Sequence, residues 1–237
     1  MYTIDKLVEE TKRWFRNRRT RPQEYYDYNS ATTYFMLRCM KNSEVEHVMS
    51  VGGALNFLVP MTVLYPGIVH ISQMPVEDLL DFNRQFHEAI EFRQTDFFSL
   101  KDGEYPQIDT VISHVTLHCM LDTRYHNDYN KLAESGGFER PYQFAERLLG
   151  ICPNVRNVIV SAAINENEEF KDNGSFLADR KVKESFAHSG FVLRDTLYDL
   201  KARAGWGMEA PRFSSRFPAE AARKQPYLVG SYFFQMA

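Results

Sequence analysis

Short runs dense in valine, isoleucine and phenylalanine alternate along most of the chain with longer polar or amphipathic stretches. The runs fall at residues 45–51, 68–73, 90–93, 108–113, 155–161, 191–198 and 227–234. Strands that are apolar almost throughout are typical of a parallel sheet covered on both faces, because neither face meets water. The alternation therefore predicts an α/β fold, with a doubly wound, mostly parallel seven-stranded sheet and helices on both faces.

Four of the stretches between these runs are predicted to be helices: 55–65, 75–89, 140–149 and 179–188. The second has its apolar residues at helical spacing and Pro75 just inside its start, where proline is well tolerated. Gly190 follows the fourth, as glycine commonly does at a helix end. Residues 204–225 contain two prolines and scattered bases, with a third proline directly after them, which favours a long loop or a peripheral flap.

The first 40 residues differ from the rest and are predicted to form an N-terminal helical arm, followed by one domain over residues 41–237. Residues 4–20 have the spacing of an amphipathic helix that ends before Pro22. Six of the ten positions from Lys12 to Arg21 are Lys or Arg, with Trp14 and Phe15 among them. Such a run either contacts phosphates or an acidic lipid surface, or is a solvated helix end with packed aromatics.

Charge and cysteine content narrow the classes of partner and compartment. With 28 basic and 31 acidic residues, the net charge of −3 provides no overall cationic field for nucleic acid. Three well-separated cysteines without a CxxC pair argue against a disulfide framework and a Cys-rich zinc site. No apolar run approaches the ~18 residues that a membrane span needs. We therefore expect a cytoplasmic protein that does not span a membrane.

The turn after the first run is the first candidate for a ligand site, because open parallel sheets bind ligands at the carboxyl ends of their strands. Gly52, Gly53 and Ala54 leave the backbone bare at this point. Bare peptide groups before a helix can approach a ligand closely. The turn lacks the GxGxxG spacing and a P-loop lysine, so it supports neither a classical dinucleotide site nor an NTPase.

Taken in order, the segments resemble the class I S-adenosylmethionine-dependent methyltransferases, over roughly residues 39–237, and in particular branches with an eroded glycine loop. The segments that carry the resemblance are VMSVGGALNF, GIVHISQMP, IEFRQTDFFSL, GEYPQIDTVISHVTLHCM, VRNVIVSAAI, FLADRKVKESFAHSGFVLRD and PYLVGSYFFQMA. The resemblance implies a Rossmann-like domain that binds S-adenosylmethionine. It assigns cofactor binding to Gly52, Gly53, Ala54, Asn56, Gln73, Asp96, Phe97 and Ser113.

Within that set, the resemblance makes Asp96 the acid that reads the adenine amino group, with Phe97 or Phe98 stacking on the ring. The chain departs from the family at two acids. Ser50 stands where the family usually has an acid before the first glycine, and Gln73 lies where an acid usually accepts the ribose hydroxyls. An amide oxygen can accept the same bonds without the charge assistance of a carboxylate.

His114, directly after the fourth run, is the candidate general base, since a neutral imidazole suits proton removal near pH 7. A zinc site is the alternative, because His114 and His118 are four residues apart and would share a helix face. That reading lacks the glutamate of HExxH and needs a third ligand from Asp122 or His126. We expect no metal.

The acceptor is predicted to be a small polar or glycan-like molecule. Residues 122–137 form a polar loop rich in Tyr and Asn, in which Arg124, Tyr125 and His126 are candidate acceptor-binding residues, and Asn165 follows the fifth run. A mobile surface loop is the alternative for this segment. The sequence therefore favours a methyltransferase of small molecules. A catalytically inactive methyltransferase-like binding protein is the alternative, and both nucleic-acid binding by the arm and a homo-oligomer stay open.

Overall fold

The computed structural model describes residues 23–52, 61, 64–73, 90–114, 116–120, 129–165, 177–200, 213–219 and 228–237. The strands in this part of the chain are β1 (Val48–Val51), β2 (Ile68–Ser72), β3 (Ile90–Gln94), β4 (Thr110–Ser113), β5 (Asn157–Ile164), β6 (Phe191–Asp199), β7 (Phe213–Ser214) and β8 (Leu228–Met236). The helices are α1 (Gln23–Lys41), α2 (Tyr129–Glu134), α3 (Phe144–Ile151) and α4 (Asp179–His188). Short 3₁₀ turns lie at Phe97–Ser99, Leu117–Cys119 and Arg140–Gln143.

All of the strands belong to one sheet, in the order β3-β2-β1-β4-β5-β8-β6-β7. Strands β1 to β5 are parallel, and β8 runs antiparallel between β5 and β6. The α/β class and all seven predicted strands are confirmed. The sheet has an eighth strand, β7, because the end of β6 pairs with two residues of the segment predicted as a loop or flap.

Helices cover both faces of the sheet, as the apolar runs predict. On one face, α1 packs Phe35, Met36 and Met40 against a layer that includes Ile112 of β4 and Ile159 of β5. On the other face, α3 and α4 contribute Phe144 and Phe186, and the Phe186 ring stacks on Phe234 of β8 at 4.1 Å. Each fully buried side chain of this size stabilises the fold by about 1.5–3 kcal/mol.

Helix α1 lies almost entirely in the predicted helical arm of residues 1–40, but its bounds were not predicted, because Tyr, Asn and Asp in its first half mask the apolar spacing of its second half. Helix α4 is confirmed at Asp179–His188, and the predicted helix at 140–149 begins as a 3₁₀ turn before it continues as α3. The predicted helices at 4–20 and 75–89, and nearly all of 55–65, lie outside the described residues. None of the described helices is long and apolar enough to cross a membrane.

All three cysteines are free thiols. Cys39 on α1 and Cys152 after α3 are buried, and burial raises the pKa of each thiol to about 12. Both therefore stay protonated at neutral pH and pack as small apolar side chains.

Asp109 fixes the amino-terminal edge of the sheet, where β1 and β4 begin. One carboxylate oxygen accepts the backbone N–H groups of Glu46 and His47 at 3.0 and 2.8 Å, and the other accepts the Thr110 hydroxyl at 2.6 Å. Because Asp109 is 6% exposed, water does not readily replace these bonds. The carboxylate holds the chain entering β1 in register with β4.

Replacing Asp109 with alanine is expected to lower the free energy of unfolding by about 2 kcal/mol, because two backbone N–H groups lose a charged acceptor. Urea denaturation followed by circular dichroism measures the change. Asp102→Ala is the control, since its side chain is 78% exposed and its ion pair with Arg147 should contribute little. An equal loss in the two variants would contradict the role given to Asp109.

Candidate functional site

The carboxyl ends of the parallel strands β1 to β5 lie on the same side of the sheet, which we call the carboxyl edge. Five of the predicted positions lie along it. Gly52 follows β1, Gln73 follows β2, Asp96 follows β3, Ser113 ends β4 and Asn165 follows β5. Parallel neighbours bring these positions together although 113 residues separate the first from the last. Gly53, Ala54, Asn56, Arg124, Tyr125 and His126 lie outside the described residues.

Gly52 is required by its conformation and by its surroundings. Its φ of +63° lies in the left-handed region, and its N–H donates to the Ile71 carbonyl at 2.7 Å. A Cβ placed on Gly52 would lie 2.3 Å from the Cγ2 of Thr116 in the segment after β4. Thr116 is held in turn, because its hydroxyl donates to the His114 carbonyl at 2.7 Å. The turn after β1 is therefore packed directly against the segment after β4.

Ser50 forms a buried pair with a residue that sequence reasoning missed. Ser50 Oγ lies 3.0 Å from His70 Nδ1, and the two residues are 0% and 1% exposed. The pair forms because Ser50 of β1 and His70 of β2 are register partners. Burial lowers the pKa of His70 to about 4, so the imidazole is neutral at pH 7. Where the resemblance leads one to expect an acid, the chain has a neutral pair.

The neutral state of His70 makes stability depend on pH. The unfolded chain takes up a proton on His70 below pH 6.5, whereas the folded chain resists protonation down to about pH 4. His70 therefore leaves the free energy of unfolding unchanged above pH 6.5. As the pH falls from 6.5 toward 4, it lowers the free energy of unfolding by about 3 kcal/mol. We expect His70→Asn to flatten this part of the pH profile of unfolding free energy.

Urea titrations at several pH values between 4 and 7 measure this profile. His188→Gln at the exposed end of α4 is the control and should keep the wild-type slope. If His70→Asn keeps the wild-type slope as well, the titrating group lies elsewhere.

The end of β2 offers an amide where the family has a carboxylate. Ser72 is buried at 6%, and its carbonyl accepts the Thr95 N–H at 2.9 Å, which ties the end of β2 to the end of β3. Gln73 is exposed at this edge. Among the predicted residues of β2, Gln73 is therefore the one that a ligand can reach.

Asp96 caps the 3₁₀ turn after β3 and pairs with an arginine that sequence reasoning did not connect to it. One carboxylate oxygen accepts the Phe98 N–H at 3.0 Å, and the other forms a hydrogen-bonded ion pair with Arg140. The guanidinium carbon of Arg140 lies 4.3 Å from the centre of the Phe98 ring. Phe97 points into the core, 4% exposed and 4.8 Å from the Phe144 ring. Of the two rings, Phe98 is therefore the one that stays partly exposed at the end of β3.

Ser113 and His114 end β4 as predicted, and both are buried, at 0% and 2% exposure. Among the residues that the structure describes, none is a hydrogen-bond partner of the Ser113 hydroxyl. His114 is almost entirely withdrawn from solvent.

Asn165 closes the β5 side of this edge. Its backbone N–H donates to the Leu177 carbonyl at 3.1 Å, and the residue is 8% exposed.

Nearby, the start of α4 is fixed by a buried network that the sequence did not reveal. Asp179 accepts the hydroxyls of Tyr198 and Tyr232 at 2.6 and 2.8 Å and pairs with Lys183 at 2.7 Å. Burial, followed by the charge of Asp179, raises the pKa of Tyr232 well above its usual range, which keeps the phenol neutral.

A second group of polar residues lies at the opposite edge of the sheet. Glu46, His47 and Asp109 line a cavity of about 610 Å³ together with Arg156, and one ligand atom from each of the first three lies within 4.8 Å of the others. Asp109 already accepts three hydrogen bonds there. The Asp109 carboxylate in this group is therefore already used to hold the chain entering β1 in register with β4, as described above.

The comparisons with known proteins separate sequence from fold. No protein-family model matches the sequence, and no curated protein matches it significantly. Solved structures match its fold. The N-methyltransferase NodS from Bradyrhizobium japonicum, in complex with S-adenosyl-L-homocysteine, is 11% identical with a TM-score of 0.56, over 88% of this chain and 87% of that chain.

Two further structures give the same result. A putative RNA methyltransferase from Pyrococcus horikoshii is 13% identical with a TM-score of 0.55, over 100% of this chain and 98% of that chain. The magnesium protoporphyrin IX methyltransferase from Synechocystis, with bound S-adenosylhomocysteine, is 12% identical with a TM-score of 0.54, over 91% and 86%. The chain has the fold of the class I S-adenosylmethionine-dependent methyltransferases.

Proposed function

We propose that this chain, whose fold is that of the class I methyltransferases, binds S-adenosylmethionine at the carboxyl edge of β1 to β5 and transfers its methyl group to a small polar or glycan-like acceptor. The observation that supports the proposal is that Gly52, Gln73, Asp96 and Ser113 all lie at or just after the carboxyl ends of neighbouring parallel strands. Similar folds have been solved with S-adenosylhomocysteine bound.

The residues present fit an adenosyl group in two respects. Asp96 and the Phe98 ring combine an acceptor for an amino group with a surface for a planar base. The buried Ser113 hydroxyl at the end of β4 has no hydrogen-bond partner among the described residues, so it can donate to a ligand. With Gln73, these residues would hold the base, the ribose and the chain beyond it.

When bound, S-adenosylmethionine supplies an electrophilic methyl group, which an acceptor nucleophile takes as the carbon–sulfur bond breaks. The protein's task is to align the two and to exclude water. His114 at the end of β4 is proposed to take the acceptor's proton. Arg124, Tyr125 and His126 are proposed to bind the acceptor together with Asn165, and the polar character of residues 122–137 supports a polar acceptor.

Purified protein is expected to bind S-adenosylmethionine and S-adenosylhomocysteine with micromolar dissociation constants in isothermal titration calorimetry. Gly52→Ala should weaken binding at least tenfold, because the new Cβ collides with Thr116. Gly67→Ala is the matched control, since Gly67 also has a positive φ, of +82°, but nothing lies within 4 Å of its added Cβ. Gly67→Ala should keep wild-type affinity.

A double variant separates the collision from general misfolding. Thr116→Ser removes the Cγ2 atom that the new Cβ would meet, so Gly52→Ala combined with Thr116→Ser should recover part of the affinity. Absence of heat with the wild-type protein at millimolar concentrations of both compounds would exclude the proposed function.

A second candidate function is that of a methyltransferase-like protein that binds a partner without catalysis. The neutral Ser50–His70 pair favours it because it stands where the resemblance leads one to expect an acid, and the Asp96–Arg140 ion pair favours it because it engages a residue that the resemblance assigns to the cofactor. This alternative predicts partner binding that survives Gly52→Ala, whereas the methyltransferase loses its cosubstrate.

A further inference from the structure

The cluster at the end of β3 has a feature that a cofactor site does not require. Arg140 reaches it from the 3₁₀ turn before α3, 44 residues further along the chain than Asp96. Its guanidinium makes two contacts at once, an ion pair with the Asp96 carboxylate and a cation–π contact with Phe98. The side chains of Arg140 and Asp96 are 14% and 24% exposed, so both contacts are partly shielded from water.

These two contacts are the ones that an amino-bearing planar base would make. A guanidinium is planar, donates N–H groups to a carboxylate and lies favourably over an aromatic ring. An adenine amino group donates to the same type of acceptor, and the base lies over the same type of ring. Arg140 therefore satisfies Asp96 and Phe98 in the way that a ligand's base would.

The backbone that carries Arg140 is anchored independently of these contacts. The Tyr142 hydroxyl accepts the Ala178 N–H at 3.0 Å, and Glu139 pairs with Lys181 of α4 at 3.2 Å. An arginine side chain has several rotatable bonds, so its guanidinium can leave Asp96 while the turn stays in place. The contact of Arg140 with Asp96 and Phe98, which we call the latch, can therefore open while the backbone of the turn stays in place.

We infer that Arg140 determines ligand affinity at this site by competing with the ligand's base for Asp96 and Phe98. This inference rests on the proposed function, since it places an adenosyl group at the same edge of the sheet. Binding then takes place from the open state of the latch, and the apparent dissociation constant is the intrinsic one divided by the open fraction. A latch that is closed about nine-tenths of the time weakens binding about tenfold.

The test compares wild-type protein with Arg140→Gln by calorimetry, using adenosine and S-adenosylhomocysteine as separate probes. Arg140→Gln should bind both probes about tenfold more tightly, because the shared adenosyl end is where the competition occurs. Arg140→Lys keeps the positive charge but lacks the planar guanidinium. Its affinity for both probes should therefore lie between those of the wild-type protein and Arg140→Gln. Thermal melts establish that each variant is folded.

Arg38→Gln is the matched control, because Arg38 of α1 also pairs with an aspartate, Asp195 of β6, and lies over a phenylalanine ring, Phe35, but β6 is remote from β3 in the sheet order. It should leave both dissociation constants unchanged. A second readout is ionic strength. Added salt weakens the ion pair, so the wild-type protein should bind uncharged adenosine more tightly at high salt, whereas Arg140→Gln should show no such trend.

The outcomes separate the latch from the proposed function. Tighter binding of both probes by Arg140→Gln, but not by the control variant Arg38→Gln, supports the latch. Equal or weaker binding by Arg140→Gln, with micromolar binding by the wild-type protein, overturns the latch and leaves the proposed function in place. Failure of both probes to bind any variant overturns the two together.

Discussion

Coverage of both sheet faces is the constraint on which the rest of the structure depends. Because α1 packs on one face and α3 and α4 on the other, side chains in the middle of the strands are withdrawn from water. Polar side chains there must form hydrogen bonds with one another, as Ser50 and His70 do. Polar groups that a ligand can reach therefore lie where the strands end. The glycine contact with Thr116 then sets how closely the segments after β1 and β4 approach at that edge.

The sequence predicted the elements whose signal is local. Apolar runs located all seven main strands, and α4 was predicted with its observed bounds. Helix α1 lies in the predicted helical arm, but its bounds were not predicted because only its second half is apolar, and β7 was missed because two residues carry too little pattern to distinguish a strand from a loop. For the site, Gly52 was predicted from the rule that ligands bind at the carboxyl ends of strands, whereas Asp96 and Ser113 were assigned by the resemblance.

What the sequence did not reveal were partnerships set by register and packing. His70 was passed over as one polar residue in an apolar run, and its pairing with Ser50 exists because β1 and β2 align at those positions. Arg140 was seen only as a helix start, although its side chain completes the cluster around Asp96. The two pairs change the electrostatics of the edge. The neutral Ser50–His70 pair stands where the resemblance leads one to expect an acid, and the guanidinium of Arg140 neutralises the charge of the Asp96 carboxylate.

Strand β8 follows every other strand in chain order, yet it lies between β5 and β6. It pairs along its length with both neighbours, from Leu228 beside Ile164 to Met236 beside Phe191. During synthesis, β5 therefore carries an unpaired edge until residues 228–236 leave the ribosome, and β6 has no neighbour through which to join the parallel strands. Exposed strand edges can pair with other chains, so β5 is the strand of this sheet that is open to such pairing until residues 228–236 have taken their place beside it.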